Sequence, residues 1–321
     1  MKPILRLAAL AAALLSVATS FAQSKNPTEL LQSINQFRTQ RLTEMRNSGG
    51  TIDVNALNAD VAAKAAEAIQ GVDPTKVEAA QAYAWAQLFS LAGKHQETCD
   101  LAAKFLTTKP DPDQRYAAQM LMLSSCNTLG EGEKIAQTLP GVAAPNLAAT
   151  QAFLRTVVGV FSDTIAEDLG PDAAMKAIDA ALAQVQFETP EAYADRMFAS
   201  TKARNLKNRD GSAMTDDQIR TTLVATGKSV NDSLGYSVVD KKSELLLQAG
   251  RKDDAVKLLE DYVAKTDPAS AYARRASSTL KQMTLVGSAA VELNYDRKHG
   301  DYPGLDKWKG KVVIIDFTAH W

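Results

Sequence analysis

The two cysteines of this 321-residue sequence, Cys99 and Cys126, are its most reactive side chains and set the first question of chemistry. They are too far apart to form a Cys-x-x-Cys redox pair, and neither has His or Cys neighbours at metal-ligand spacing. Two readings remain, a structural disulfide or two buried thiols. Helix-breaking Lys109-Pro110-Asp111-Pro112 lies between them and folds the segment into a helical hairpin. At about 1.5 Å of rise per residue the two cysteines fall within about one turn of the same level, which favours the disulfide. Asp316 is the one polar residue in the run Val312-Val313-Ile314-Ile315-Asp316-Phe317. There it either serves as a buried carboxylate or merely ends a strand. His95 and His299 have no partner at useful spacing.

Other patterns fail as sites. Asn208-Arg209-Asp210-Gly211 resembles a calcium loop, but Leu206 stands where the first carboxylate is required and Asp217 replaces the closing glutamate. A turn at Asp210-Gly211 followed by a Thr215/Gln218 capping box explains it better. The pairs Asp216-Asp217 and Asp253-Asp254 sit at helix starts, where they complement the dipole. No phosphate loop, dinucleotide fingerprint or zinc spacing appears, so no metal and no cofactor is expected.

The elements that must position these residues are mostly helical. From Thr28 to about Gly287, Ala, Leu, Gln, Glu and Lys dominate. Asp73-Pro74, Asp111-Pro112, Gly170-Pro171, Thr189-Pro190 and Asp267-Pro268 read as helix starts. Gly93, Gly130, Gly170, Gly227 and Gly250 read as C-terminal caps of helices of about 12 to 20 residues. Two stretches repeat one pattern, an apolar helix ending at Ala92-Gly93-Lys94 or Ala249-Gly250-Arg251 and a second helix starting a few residues later. They resemble the tetratricopeptide helix pair, without a regular register through the middle of the chain.

The chain opens with Lys2 and Arg6, an apolar run from Leu7 to Ala18 and a small-x-small site at Ser20-Phe21-Ala22. This predicts a cleaved signal peptide over 1–22, a mature start at Gln23 and an exported, periplasmic or extracellular, protein. The run is shorter than the roughly 20 residues that span a bilayer, so no retained membrane anchor is expected. The net charge is −1. Such a balance disfavours nucleic acid and anionic membranes as partners.

After about residue 287 the helical period stops. Four consecutive β-branched residues, Val312 to Ile315, read as a buried central strand whose sheet this chain does not supply. The segment Trp308-Lys309-Gly310-Lys311-Val312-Val313-Ile314-Ile315-Asp316-Phe317-Thr318-Ala319-His320-Trp321 resembles the strand leading into the active site of thioredoxin-fold proteins of the TlpA/ResA type. In that family a Cys-x-x-Cys follows at once, at a helix N-terminus that stabilises the thiolate. The resemblance implies that Asp316 is the buried carboxylate exchanging a proton with the second cysteine and that Trp321 is the apolar shoulder beside the reactive sulfur.

The expected architecture is therefore mostly α. A signal peptide (1–22) precedes a tetratricopeptide-like helical-hairpin array (23–286), followed by the truncated start of an α/β thioredoxin fold (287–321). The expected function is exported thiol-disulfide exchange with protein thiols and disulfides, the helical domain binding a protein or peptide partner. Without the Cys-x-x-Cys, residues 23–321 alone are expected to show no dithiol-dependent turnover. The alternative is a non-enzymatic binding module with a scaffold thioredoxin-like part; a peroxiredoxin would need a Pro-x-x-x-Thr-x-x-Cys approach that Ala319-His320-Trp321 does not provide.

Overall fold

The computed structural model describes residues 26–48, 52–285, 300 and 304–314. Residues 1–22, His299, Asp316, His320 and Trp321 lie outside them. The described residues are helical nearly throughout and contain no strand. None of their helices is long and apolar enough to cross a membrane.

The helices are α1 (Pro27–Asn47), α2 (Val54–Ile69), α3 (Ala82–Leu91), α4 (His95–Leu106), α5 (Pro112–Thr128), α6 (Gly132–Thr138), α7 (Leu147–Thr156), α8 (Ser162–Leu169), α9 (Pro171–Leu182), α10 (Pro190–Lys202), α11 (Asp216–Gln248), α12 (Lys252–Lys265) and α13 (Ala271–Leu285). Side-chain caps start many of them. Asp53, Asp111 and Thr189 each accept a backbone N–H in the first turn, and Thr215 forms the capping box with Gln218. Two proline signals behave differently. Pro74 opens only a 3-10 turn over Pro74–Lys76, because Val77 leaves the helical conformation. Asp267-Pro268 forms a turn, with α13 starting at Ala271.

Several consecutive helices pack side by side, among them α3 with α4, α4 with α5, α10 with α11 and α11 with α12, and three of the corners are alike. Gly93, Gly130 and Gly250 have φ of 73°, 74° and 74°, a left-handed conformation open to glycine at no steric cost. In each corner the residue after the glycine donates its N–H to a carbonyl of the preceding helix: Lys94 to Phe89 at 2.8 Å, Glu131 to Cys126 at 2.9 Å, Arg251 to Leu246 at 2.8 Å. The fifth residue after each glycine, Thr98, Ile135 or Ala255, is fully buried. Thus the corner fixes which face of the second helix turns inward.

Gly227 is not a cap. It lies buried inside α11, whose 33 residues make it much longer than the expected helices. A Cβ there would meet Tyr193 Cβ at 2.9 Å and Pro190 Cα at 3.1 Å, so the glycine admits α10 against α11.

Two main cores result. One gathers Ile34, Leu57, Trp85, Phe89, Leu101 and Phe105 from α1 to α4. The other gathers Leu123, Ile135, Phe153, Phe161, Ile178 and Leu234 from α5 to α11. A small satellite, Ala194, Ile219 and Leu223, joins α10 to the start of α11. Between α10 and α11 an antiparallel bridge, Lys207 to Ala213, closes a turn in which Asp210 Oδ1 accepts from the Ser212 N–H and hydroxyl. The expected turn is there, and local donors satisfy the aspartate.

At the C-terminal side, Val312 and Ile314 are 95% and 90% exposed. No strand pairs with this part of the expected β run among the described residues.

The corner at Gly132 is close-packed. A Cβ there would meet the Thr164 carbonyl, Asp168 Cβ at 2.8 Å and Ile165 Cα at 3.0 Å, whereas one on Gly159 would meet nothing within 4 Å. Gly132→Ala is expected to destabilise the chain by about 1–3 kcal/mol. Gly159→Ala should be neutral or stabilising by up to about 1 kcal/mol. Chemical denaturation of the two variants checks the contrast.

Candidate functional site

The turn at Pro110–Pro112 brings α4 and α5 together as the sequence anticipates. Cys99 lies one turn into α4 and Cys126 in the last turn of α5. Both are buried, and their sulfurs are 3.3 Å apart as free thiols. That is hydrogen-bonding distance, longer than the roughly 2.05 Å of a disulfide. Cys99 Sγ also lies 3.6 Å from the Met122 carbonyl, one turn before Cys126 on α5.

The third member is Glu131, which sequence spacing did not reveal. The hydrogen bond from its N–H to the Cys126 carbonyl closes the corner between α5 and α6 and brings its side chain back over the thiols. One carboxylate oxygen of Glu131 and both sulfurs lie within 4.8 Å of one another. Oε1 accepts from Lys134 at 2.6 Å. Oε2 is buried without a hydrogen-bond partner among the described residues. The usable signal was the corner: Gly130-Glu131 stands where Gly93-Lys94 and Gly250-Arg251 stand, with an acid in place of a base.

Electrostatics split the thiols. Hydrogen bonding to Cys126 holds Cys99 below the ordinary thiol range, against the opposing effects of burial and of Glu131. The same bond, with burial, the neighbouring Cys99 and the Glu131 carboxylate, which favours the protonated thiol, pushes Cys126 far above it. Lys134 is raised by its bond to Glu131. His95, one turn before Cys99, buries Nδ1 without a partner but does not belong to the three-group cluster.

A second feature is an open groove of about 450 Å³ among α7, α11 and α13. Thr222, Thr226, Ser229 and Ser233 line it along α11, with Arg155 and Tyr272 at its sides. Ala225 and Val230 lie among these hydroxyls, so the wall is mixed, and Thr222 and Thr226 donate to the carbonyls of Gln218 and Thr222 one turn before.

The search found no match to this chain among protein-family models, curated proteins or solved structures.

The donor–acceptor pairing of the thiols is measurable by ultraviolet thiolate absorbance. In the reduced chain one thiolate is expected to form below the ordinary cysteine range of about 8.5 and the second not before the alkaline unfolding transition. Cys126→Ala removes the donor and should move Cys99 upward. Two ordinary, independent titrations would contradict the geometry.

Proposed function

We propose that this chain is the helical, partner-binding part of an exported thioredoxin-like thiol-disulfide oxidoreductase, built as a tetratricopeptide-like array. The observation that carries the reading is the run Trp308 to Trp321, with its Lys-Gly-Lys lead, four apolar residues, Asp316, Phe317, Ala319 and Trp321. Asp316 would relay a proton to the resolving cysteine, and Trp321 would shield the reactive sulfur. The three glycine corners, each with a fully buried residue five positions on, support the repeat architecture.

A chimera tests the motif: residues 308–321 replace the corresponding strand of a thioredoxin-fold oxidoreductase, directly before its Cys-x-x-Cys. Retained insulin reduction, slowed about tenfold or more by Asp316→Ala, is the expected outcome. A chimera that folds but cannot reduce insulin would sink the assignment.

The second reading, a non-enzymatic binding module, draws on the groove. Its wall of small side chains leaves room for an extended peptide, the threonine hydroxyl oxygens can accept from peptide N–H groups, and exposed Arg155 offers a cation to a carboxylate. Peptides selected from a displayed library on the wild-type chain should lose at least about tenfold in affinity for Thr226→Trp, which fills the groove. Unchanged binding would place the peptides elsewhere.

A further inference from the structure

We propose that Cys99, Cys126 and Glu131 form a binding site for a thiophilic divalent cation of the Zn²⁺ type, held by two thiolates and one carboxylate with a fourth position for water. The inference is independent of the thioredoxin-like reading, since no residue after 134 takes part in it.

The distances fit. Tetrahedral coordination with Zn–S of about 2.3 Å and Zn–O of about 2.0 Å separates neighbouring ligand atoms by roughly 3.5–3.8 Å. The sulfurs stand at 3.3 Å and the whole set within 4.8 Å, so movements below about 1 Å complete the site. The ligands sit on well-fixed backbone, two on packed helices and the third on the corner bonded to Cys126.

The decisive observation is the buried Glu131 Oε2. A disulfide between Cys99 and Cys126 would leave this oxygen without a partner, which is costly for a carboxylate. A cation gives all three groups a partner. A monovalent soft ion such as Cu⁺ would be satisfied by the two sulfurs alone and leave the carboxylate unused. On binding, the cation displaces both thiol protons to solvent, and the four-coordinate centre carries one net negative charge. Lys134, 2.6 Å from Glu131 Oε1, supplies the balancing positive charge.

Cobalt(II) titration of the fully reduced chain tests the site. One Co²⁺ per chain is expected, with thiolate-to-cobalt charge-transfer absorption and the visible bands of tetrahedral cobalt, both removed by added Zn²⁺. Cys126→Ser should lose most of the charge-transfer intensity. Glu131→Gln, its fold verified by far-ultraviolet circular dichroism, should bind on the order of ten- to a hundredfold more weakly. A reduced wild-type chain without the charge-transfer band overturns the proposal, as does unchanged affinity in Glu131→Gln. So does re-formation of a Cys99–Cys126 disulfide in air despite saturating Zn²⁺.

Discussion

A helix that turns back on itself within two residues must satisfy its last carbonyls and send the next helix off at a usable angle. Here a left-handed glycine does both. The backbone hydrogen bonds at Gly93, Gly130 and Gly250 set the angle, and the angle sets which residue of the second helix faces the core. Thr98, Ile135 and Ala255 differ in polarity, yet all are buried at the same point after the corner. Thr98 meets the demand by donating its hydroxyl to the Lys94 carbonyl at 2.7 Å. The pairing of α4 with α5, and hence the meeting of the two sulfurs, follows from this geometry and the Pro110–Pro112 turn.

The middle corner differs in one side chain with electrostatic consequences. Lys94 is exposed after its glycine and Arg251 pairs at the surface with Asp172 and Asp254, while Glu131 folds back over a pair of buried thiols. Negative charge there opposes ionisation of both sulfurs, and the single hydrogen bond between them decides which yields its proton first. Lys134 engages only one of the two carboxylate oxygens. The cluster therefore balances its charge with Lys134 yet keeps one carboxylate oxygen buried without a hydrogen bond, which simple packing does not require.

Much of the helical architecture was legible because its signals are local. Capping aspartates and threonines, prolines at first turns and left-handed glycines act within four residues, and Asp111, Thr189, Thr215, Gly93 and Gly250 sit where their chemistry places them. Gly227 is not legible in the same way, because a glycine that ends a helix and one that admits a neighbouring helix look identical in sequence. Only the approach of Tyr193 distinguishes them. The neighbourhood of the cysteines was half legible: a proline turn foretells that they meet, but Glu131 arrives through tertiary geometry. Thiol or disulfide depends on an approach of about 1 Å, finer than helical spacing can resolve.

The length of α11 has a mechanical corollary. Its 33 residues span about 50 Å, and they run from the three-residue satellite core at Ile219 and Leu223 to the central core at Leu234, Val238 and Leu245. One end is thus anchored in a large apolar volume and the other in a small one. The hairpin of α10 with the first turns of α11 buries few large side chains, and its close packing rests on Gly227, where the backbone of α10 approaches. One unbroken helix thus joins the satellite core to the central one and, between them, supplies Thr222, Thr226, Ser229 and Ser233 to the groove.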